Sequence, residues 1–392
     1  MWNKNKKKMS EEALNKEVQN TEQEKIDRVK AAVDRLEKKE SKFMFCVPDI
    51  ENPTAAVYEI YFHATIVKKM GFKTIILTEK EEQEVPKFIE KELTDIEHIP
   101  MTKNKLNVSP DDVMVIPEVF SNVMEQTKQL PCKRVGLLQS VDYMLNALVP
   151  GTNWKSFGID DIITTSKTLE EFVESFYGKN AFNIKSYNVG LPSYFKKTDK
   201  PQKPVISIIG RNPNEISKIV KLFFTRYPQY SWITFDPMLT KSKPVKPMRR
   251  KDFADRLRGN FAAVWVDRIA SWGTFPLECM ASGTIPICLK PDITPEYILE
   301  RDEKGEATKI VDGAGVWTDN FYDLPVLIGE VVLKFLDDSI NDSLYASMEA
   351  IASKYTQKNS EKELSGVYQE LVNERITTLK NIVESATDTP KE

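Results

Sequence analysis

The feature that most constrains this chain is one pattern that occurs twice. Short continuous apolar runs alternate with longer stretches of helical periodicity, first from residue 42 and again from residue 205. In the first series the runs 43–47, 74–78, 113–116, 134–138 and 161–164 read as strands. The intervening spacing predicts helices over 54–70 (ended by Gly71), 82–92, 121–130 and 168–177. In the second series the strands are 205–209, 232–235, 261–266 and 284–288, with helices over 214–226, 251–258 and 276–282. An apolar run without alternation is a strand covered on both faces, and helices between such strands supply the cover of a parallel sheet. The polar, proline-bearing stretch 196–204 reads as the linker. The expected fold class is α/β: two doubly wound Rossmann-like lobes, residues 42–195 and 205–358, facing a cleft. Ligands of such sheets bind beyond the carboxyl ends of the strands, so the cleft is the expected site.

The flanks are helical. Residues 1–41 are nearly all polar, with Ile26, Val29, Val33 and Leu36 at helical spacing. That stripe suits a charged surface helix or a helix for self-association. From residue 322 the chain is mainly helical, ending in a helix and tail over 359–392. A length of 392 residues fits two domains. A net charge of −3 argues against electrostatic capture of the whole protein by nucleic acid or anionic lipid, but not against a local basic patch. Cys46, Cys132, Cys279 and Cys288 each sit in an apolar run with no C-x-x-C spacing, which fits reduced core residues of a cytoplasmic protein. With only His63 and His98, no His-based metal site is expected; His63, inside an apolar helix, reads as structural. No apolar run is long enough to span a bilayer, and no apolar stretch follows the basic N-terminus as in a secretory signal.

The chemistry concentrates in 261–288. A buried strand ends at Val266, a loop holding Gly273 follows, and a helix begins near Pro276 with Glu278 in its first turn. Proline suits a first helical turn, and Thr274 is placed to cap it. The free N–H groups and dipole of that helix start suit a diphosphate, and Glu278 can accept two hydrogen bonds from a ribose diol. The stretch Ala270-Ser-Trp-Gly-Thr-Phe-Pro-Leu-Glu278-Cys-Met-Ala-Ser-Gly283-Thr-Ile-Pro286-Ile resembles the donor-site signature of GT-B glycosyltransferases of the group 1 (family four) type. Its Gly, Glu, Met-Ala, Gly and Pro fall in register with that signature. The resemblance implies a nucleoside diphosphate sugar, UDP- or GDP-linked, as donor, no tightly bound cofactor and no obligatory metal. It implies hexosyl or pentosyl transfer with retention at the anomeric carbon. Gly210-Arg211 stand where the family has a Gly-Arg pair that clamps the diphosphate, and Lys218 is nearest to its lysine. The residues expected around the donor are Gly210, Arg211, Lys218, Asp267, Trp272, Gly273, Thr274, Phe275 and Glu278. One departure stands out: the family's acidic residue that contacts the donor sugar is replaced by Ala270, with Asp267 three residues earlier as the substitute. Gly313-Ala-Gly-Val-Trp-Thr-Asp319 and the terminal helices resemble the family's segment after the donor loop and its return to the first lobe.

The first lobe is expected to hold the acceptor, which the sequence does not identify. After its first strand come Asp49 and Glu51, able to bind hydroxyls or act as a base. The same residues read equally as a turn leading to the cap Asn52-Pro53-Thr54. Pro117-Glu118 and Gln139-Ser-Val-Asp142 also follow strands, and Asp142 joins Asp49 and Glu51 as a candidate catalytic group. A basic, proline-broken loop from Lys241 to Lys251 is either solvated or holds phosphates, of the donor or of a nucleic acid. The readings are then transfer to an unidentified hydroxyl, transfer to a hydroxylated base of viral DNA, or a degenerate GT-B-like scaffold without turnover. A dehydrogenase is disfavoured, since neither lobe's first strand is followed by G-x-G-x-x-G.

Overall fold

The computed structural model describes residues 23–50, 54–102, 107–199, 202–239, 248–268, 272–303, 305, 307–337, 339–340 and 342–387. Helix α1 covers residues 23–37. The first lobe then runs β1 (Lys42–Val47), α2 (Ala55–Lys69), β2 (Lys73–Thr78), α3 (Lys91–Thr94), β3 (Glu97–Pro100), β4 (Val113–Pro117), α4 (Ser121–Gln126), β5 (Lys133–Leu138), α5 (Val141–Ala147), β6 (Asp161–Thr164), α6 (Lys167–Tyr177) and β7 (Asn183–Ser186). The second lobe runs β8 (Lys203–Ile209), α7 (Pro213–Arg226), β9 (Thr234–Leu239), α8 (Arg250–Leu257), β10 (Asn260–Trp265), α9 (Thr274–Ser282), β11 (Ile285–Leu289), β12 (Leu299–Arg301), β13 (Ala307–Ile310), β14 (Val316–Thr318) and α10 (Leu324–Leu336). Helices α11 (Asp342–Ala352) and α12 (Gln357–Thr387) close the chain.

Both main sheets are parallel throughout. The first has strand order β3-β2-β1-β4-β5-β6-β7 and the second β14-β11-β10-β8-β9. Winding reverses between β1 and β4 in the first sheet and between β8 and β10 in the second. At such a reversal the flanking loops part and leave a crevice at the carboxyl ends of the strands. The central strands are apolar runs because both faces are covered: β4, β10 and β11 are buried at every position.

Three sequence expectations are corrected. Residues 82–92 do not form a helix: the segment turns at 81–82 and 87–89, buries Phe88 and Ile89 in the core, and becomes helical only in the short α3. The stripe of α1 is occupied by its own lobe. Val33 and Leu36 are buried, Val29 packs beside them, and Arg35 bonds Asp111 through both arms of its guanidinium. Little of that face is left for self-association. Finally, β8 already begins at Lys203, so strand reaches into the expected linker.

Helix α12 returns to the first lobe. Thr356 bridges Leu191, Gln357 donates its N–H to Leu191, and Lys185 bonds Glu374. All four cysteines are buried thiols.

Candidate functional site

The reversal in the second sheet is tightly made. The Val266 N–H donates to the Ile209 carbonyl, and the Arg211 N–H to Asp267 Oδ1 at 2.9 Å. A Cβ on Gly210 would stand 3.3 Å from Val266 Cβ, so this glycine serves the close approach of β8 and β10. The Arg211 side chain crosses the cleft and donates to the Tyr143 hydroxyl on α5 at 3.1 Å.

The loop beyond Asp267 turns into α9 through Gly273, whose φ of +66° is left-handed. A Cβ there would lie 2.8 Å from the Trp265 ring, so glycine is required both by backbone and by space. Gly273 is the N-cap, and Thr274 is the first helical residue; Thr274 is therefore not the cap, and the helix starts two residues earlier than expected. No side chain caps this helix start. Its first residues, Gly273 to Phe275, line the cleft, and free N–H groups of a helix start are able to bind an anion. The loop is pinned from behind, where Tyr297 donates to the Gly273 carbonyl at 2.5 Å and Trp272 packs on Tyr297 and Tyr355.

A cavity of about 180 Å³ lies between the two reversals. The first lobe contributes Thr54, Ala55 and Ala56 at the start of α2, then Glu59, Glu118, Gln139, Ser140, Tyr143 and Thr165; the second contributes Trp265, Asp267, and Trp272 to Phe275. A second cavity of about 130 Å³ adjoins it, sharing Thr54, Ala55, Thr274 and Phe275. It is walled by Tyr58, Phe88, Phe253 and Phe275, with Arg250 and Glu278 among its lining. Together the two reach the low end of the ~300–1,000 Å³ usual for small-molecule clefts.

Four residues that line the first cavity carry buried polar atoms without partners. Glu59 Oε1, Ser140 Oγ, Thr165 Oγ1 and Trp272 Nε1 are buried and have no hydrogen-bond partner. Each such group costs about 1–3 kcal/mol unless a ligand or water satisfies it. Burial pushes the Glu118 carboxyl up to about 8, against the pull of the Gln139 and Ser140 amides. Burial pushes Glu59 up to about 7, with Arg250 and the Tyr187 hydroxyl opposing. Both groups are thus poised to hold or release a proton near neutral pH.

In the second cavity Arg250 Nη2 donates to Glu278 Oε1 at 2.8 Å, and the guanidinium lies 4.0 Å from the centre of the Tyr58 ring. Burial pushes the Glu278 carboxyl up while Arg250 pulls it down. One Glu278 oxygen is thus engaged by Arg250.

The structure gathers Asp267, Trp272, Gly273, Thr274, Phe275 and Glu278 around the two cavities and sets Arg211 on Tyr143 at the rim. It places three expected residues elsewhere. Lys218 Nζ donates to the Tyr322 hydroxyl at 2.6 Å and lines neither cavity. Asp49 pairs with Lys80 at 2.5 Å because Lys80 follows the neighbouring strand β2. Asp142 is not among the lining residues, although Ser140 and Tyr143 on either side of it are. Glu51, Ala270 and residues 241–247 of the basic loop lie outside the described residues. Glu59, Thr165 and Arg250 escaped the sequence reading. For Glu59 the signal was present: one carboxylate within an apolar helix. His63 is structural as expected, buried between the hydroxyls of Tyr187 and Tyr368.

No protein-family model matches the sequence, and no curated protein matches it. Solved structures match in fold. Sucrose-phosphate synthase from Thermosynechococcus elongatus is 12% identical with a TM-score of 0.58, over 85% of this chain and 99% of that one. A glycosyltransferase from Rickettsia africae ESF-5 is 14% identical with a TM-score of 0.56, over 86% of this chain and 99% of that one. An α-glucosyltransferase solved with UDP and a 13-mer DNA containing an HMU base is 11% identical with a TM-score of 0.51, over 86% of this chain and 100% of that one. With two parallel doubly wound sheets whose reversal points share one cleft, this chain has the GT-B glycosyltransferase fold.

Proposed function

We propose that the protein transfers a sugar from a nucleoside diphosphate sugar, UDP- or GDP-linked, to a hydroxyl acceptor held by the first lobe. The observation that carries this reading is the first cavity. An uncapped helix start able to bind a diphosphate borders the same space as four residues with unpartnered buried polar atoms, which supports a site for a polyhydroxyl ring. Glu278 offers its remaining oxygen to the ribose. The start of α9 and Arg211 stabilise the leaving diphosphate as charge develops on it, without a metal. Asp267 and Glu118 face the transferred sugar, and Glu118 is the acid–base candidate in place of Asp49, Glu51 and Asp142. Among the described residues no helix is long and apolar enough to cross a membrane; a cytoplasmic location fits the buried thiols.

A thermal-shift screen over UDP, GDP and their sugars tests the reading, since a ligand at 100 times its Kd adds about 2.7 kcal/mol of stability. A shift with at least one sugar nucleotide, lost in Glu278→Ala, is expected. No shift with any of them contradicts the reading.

A second reading concerns the acceptor. The match to an α-glucosyltransferase bound to modified DNA supports a hydroxymethylated base as acceptor. The basic residues of 241–249 and Lys251 are then the candidates for the DNA backbone, Arg250 being buried against Glu278. Sugar transfer to an oligonucleotide bearing hydroxymethyluracil, and not to its thymine counterpart, is the expected result.

A further inference from the structure

Glu59 stands at the end of a buried chain that leads away from the cleft. Its Oε2 accepts from the Tyr187 hydroxyl at 3.2 Å. The Tyr187 oxygen is 2.6 Å from His63 Nε2, and His63 Nδ1 is 2.8 Å from the Tyr368 hydroxyl. With Tyr187 donating to Glu59, its oxygen accepts from Nε2–H, which leaves Nδ1 to accept from Tyr368. Neutral imidazole is the form this needs, and burial holds His63 down to about 3. Glu59 and His63 are one turn apart on α2, Tyr187 follows β7, and Tyr368 belongs to α12. All four residues are at most 2% exposed. Rotation of the carboxyl is thereby checked from behind, and Glu59, whose Oε1 has no partner, lines the cavity beside the start of α9.

A carboxylate oxygen fixed in this way accepts a hydroxyl strongly. The sequence has Ala270 where the resembling family carries the acid that contacts the donor sugar. We propose that Glu59 Oε1 holds a hydroxyl of the transferred sugar, and that Tyr187, His63 and Tyr368 position it. This rests on the nucleotide-sugar reading and assigns a first-lobe residue to sugar specificity. Glu59 binds the sugar directly; the three residues behind it are positioning residues.

The test is calorimetric titration of the full chain with UDP, GDP, UDP-glucose, UDP-N-acetylglucosamine and GDP-mannose. Glu59→Gln turns the free acceptor into an amide of the same size. It is expected to weaken the sugar nucleotide by about 10- to 100-fold while leaving the bare nucleotide unchanged. Tyr187→Phe is expected to weaken the same ligand less. Added to Glu59→Gln it should do nothing further, because it acts through Glu59. If Glu59→Gln fails to fold, Glu59→Asp withdraws the carboxylate by one methylene and should show the same selective loss. Unchanged sugar-nucleotide affinity, an equal fall for nucleotide and sugar nucleotide, or additive effects of the two substitutions would overturn the proposal. So would a wild type that binds UDP or GDP but none of the three sugar nucleotides. A wild type that binds none of the five compounds refutes the nucleotide-sugar reading itself.

Discussion

Replacing Arg250 by methionine probes the buried charge that joins the lobes. The side chains of Arg250 and Glu278 are 9% and 7% exposed and meet at 2.8 Å. Methionine fills much of the space but leaves Glu278 buried without its cation. Breaking one side of such a pair costs about 3–5 kcal/mol. For domains of this size about 2–4 °C of Tm accompanies each kcal/mol, so the melting temperature should fall by roughly 6–20 °C. The loss should depend on pH. Without Arg250 the Glu278 carboxyl rises further above the ~4.3 of an unfolded glutamate. A raised carboxyl gives stability that is complete below the unfolded value and is lost as pH rises through the folded one, by up to about 1.4 kcal/mol per unit. The variant should therefore lie closest to wild type near pH 5 and farthest below it near pH 8. Adding Glu278→Leu removes the stranded charge and should restore most of the loss. Thermal melts of the three proteins at both pH values decide it. An equal deficit at pH 5 and pH 8, or a double variant no more stable than the single, would refute the reasoning.

Other outcomes follow from the same geometry. Glu118, pushed up to about 8, should cost stability as pH climbs from ~4.3 toward 8, so Glu118→Gln should gain on wild type steadily across that window in urea melts. Gly273→Ala forces a left-handed alanine, at about 1–2 kcal/mol, against the Trp265 ring. It should lower both Tm and the calorimetric affinity for UDP or GDP, and normal affinity would show that the loop does not shape the anion site. Deleting residues 1–38 strips Val33 and Leu36 from the core and leaves Asp111 without Arg35. The truncated protein should melt lower at unchanged oligomeric state by light scattering; a change of oligomeric state would restore α1 as an association helix.

The parts legible in the sequence share a cause. Strands β1, β4, β10 and β11 are central, so burial on both faces wrote them as unbroken apolar runs. Among the edge strands, β3, β7 and β14 have no such runs and are not separable from loop, whereas β9, expected at 232–235, lies at Thr234–Leu239. Residues 82–92 carry good helix formers, but Pro86 interrupts them and Phe88 and Ile89 serve the core, so packing overrode propensity. At the site, Trp272, Gly273, Thr274 and Phe275 were readable because one loop brings them together. Glu59, Thr165 and Arg250 come from α2, the end of β6 and α8, which meet only through topology. Asp49 follows a strand as a catalytic residue would, yet Lys80 follows the adjacent strand and takes it.

The proposed reaction breaks the bond between a sugar and a nucleoside diphosphate in this cleft. Release of UDP or GDP from UDP-glucose, UDP-N-acetylglucosamine and GDP-mannose measures it directly, with water as acceptor when no other is supplied. Slow release from at least one of them, inhibited by the free nucleotide and lost in Asp267→Ala, is expected. Tight binding of a sugar nucleotide with no release under any condition would contradict it and leave the GT-B fold here as a binding scaffold.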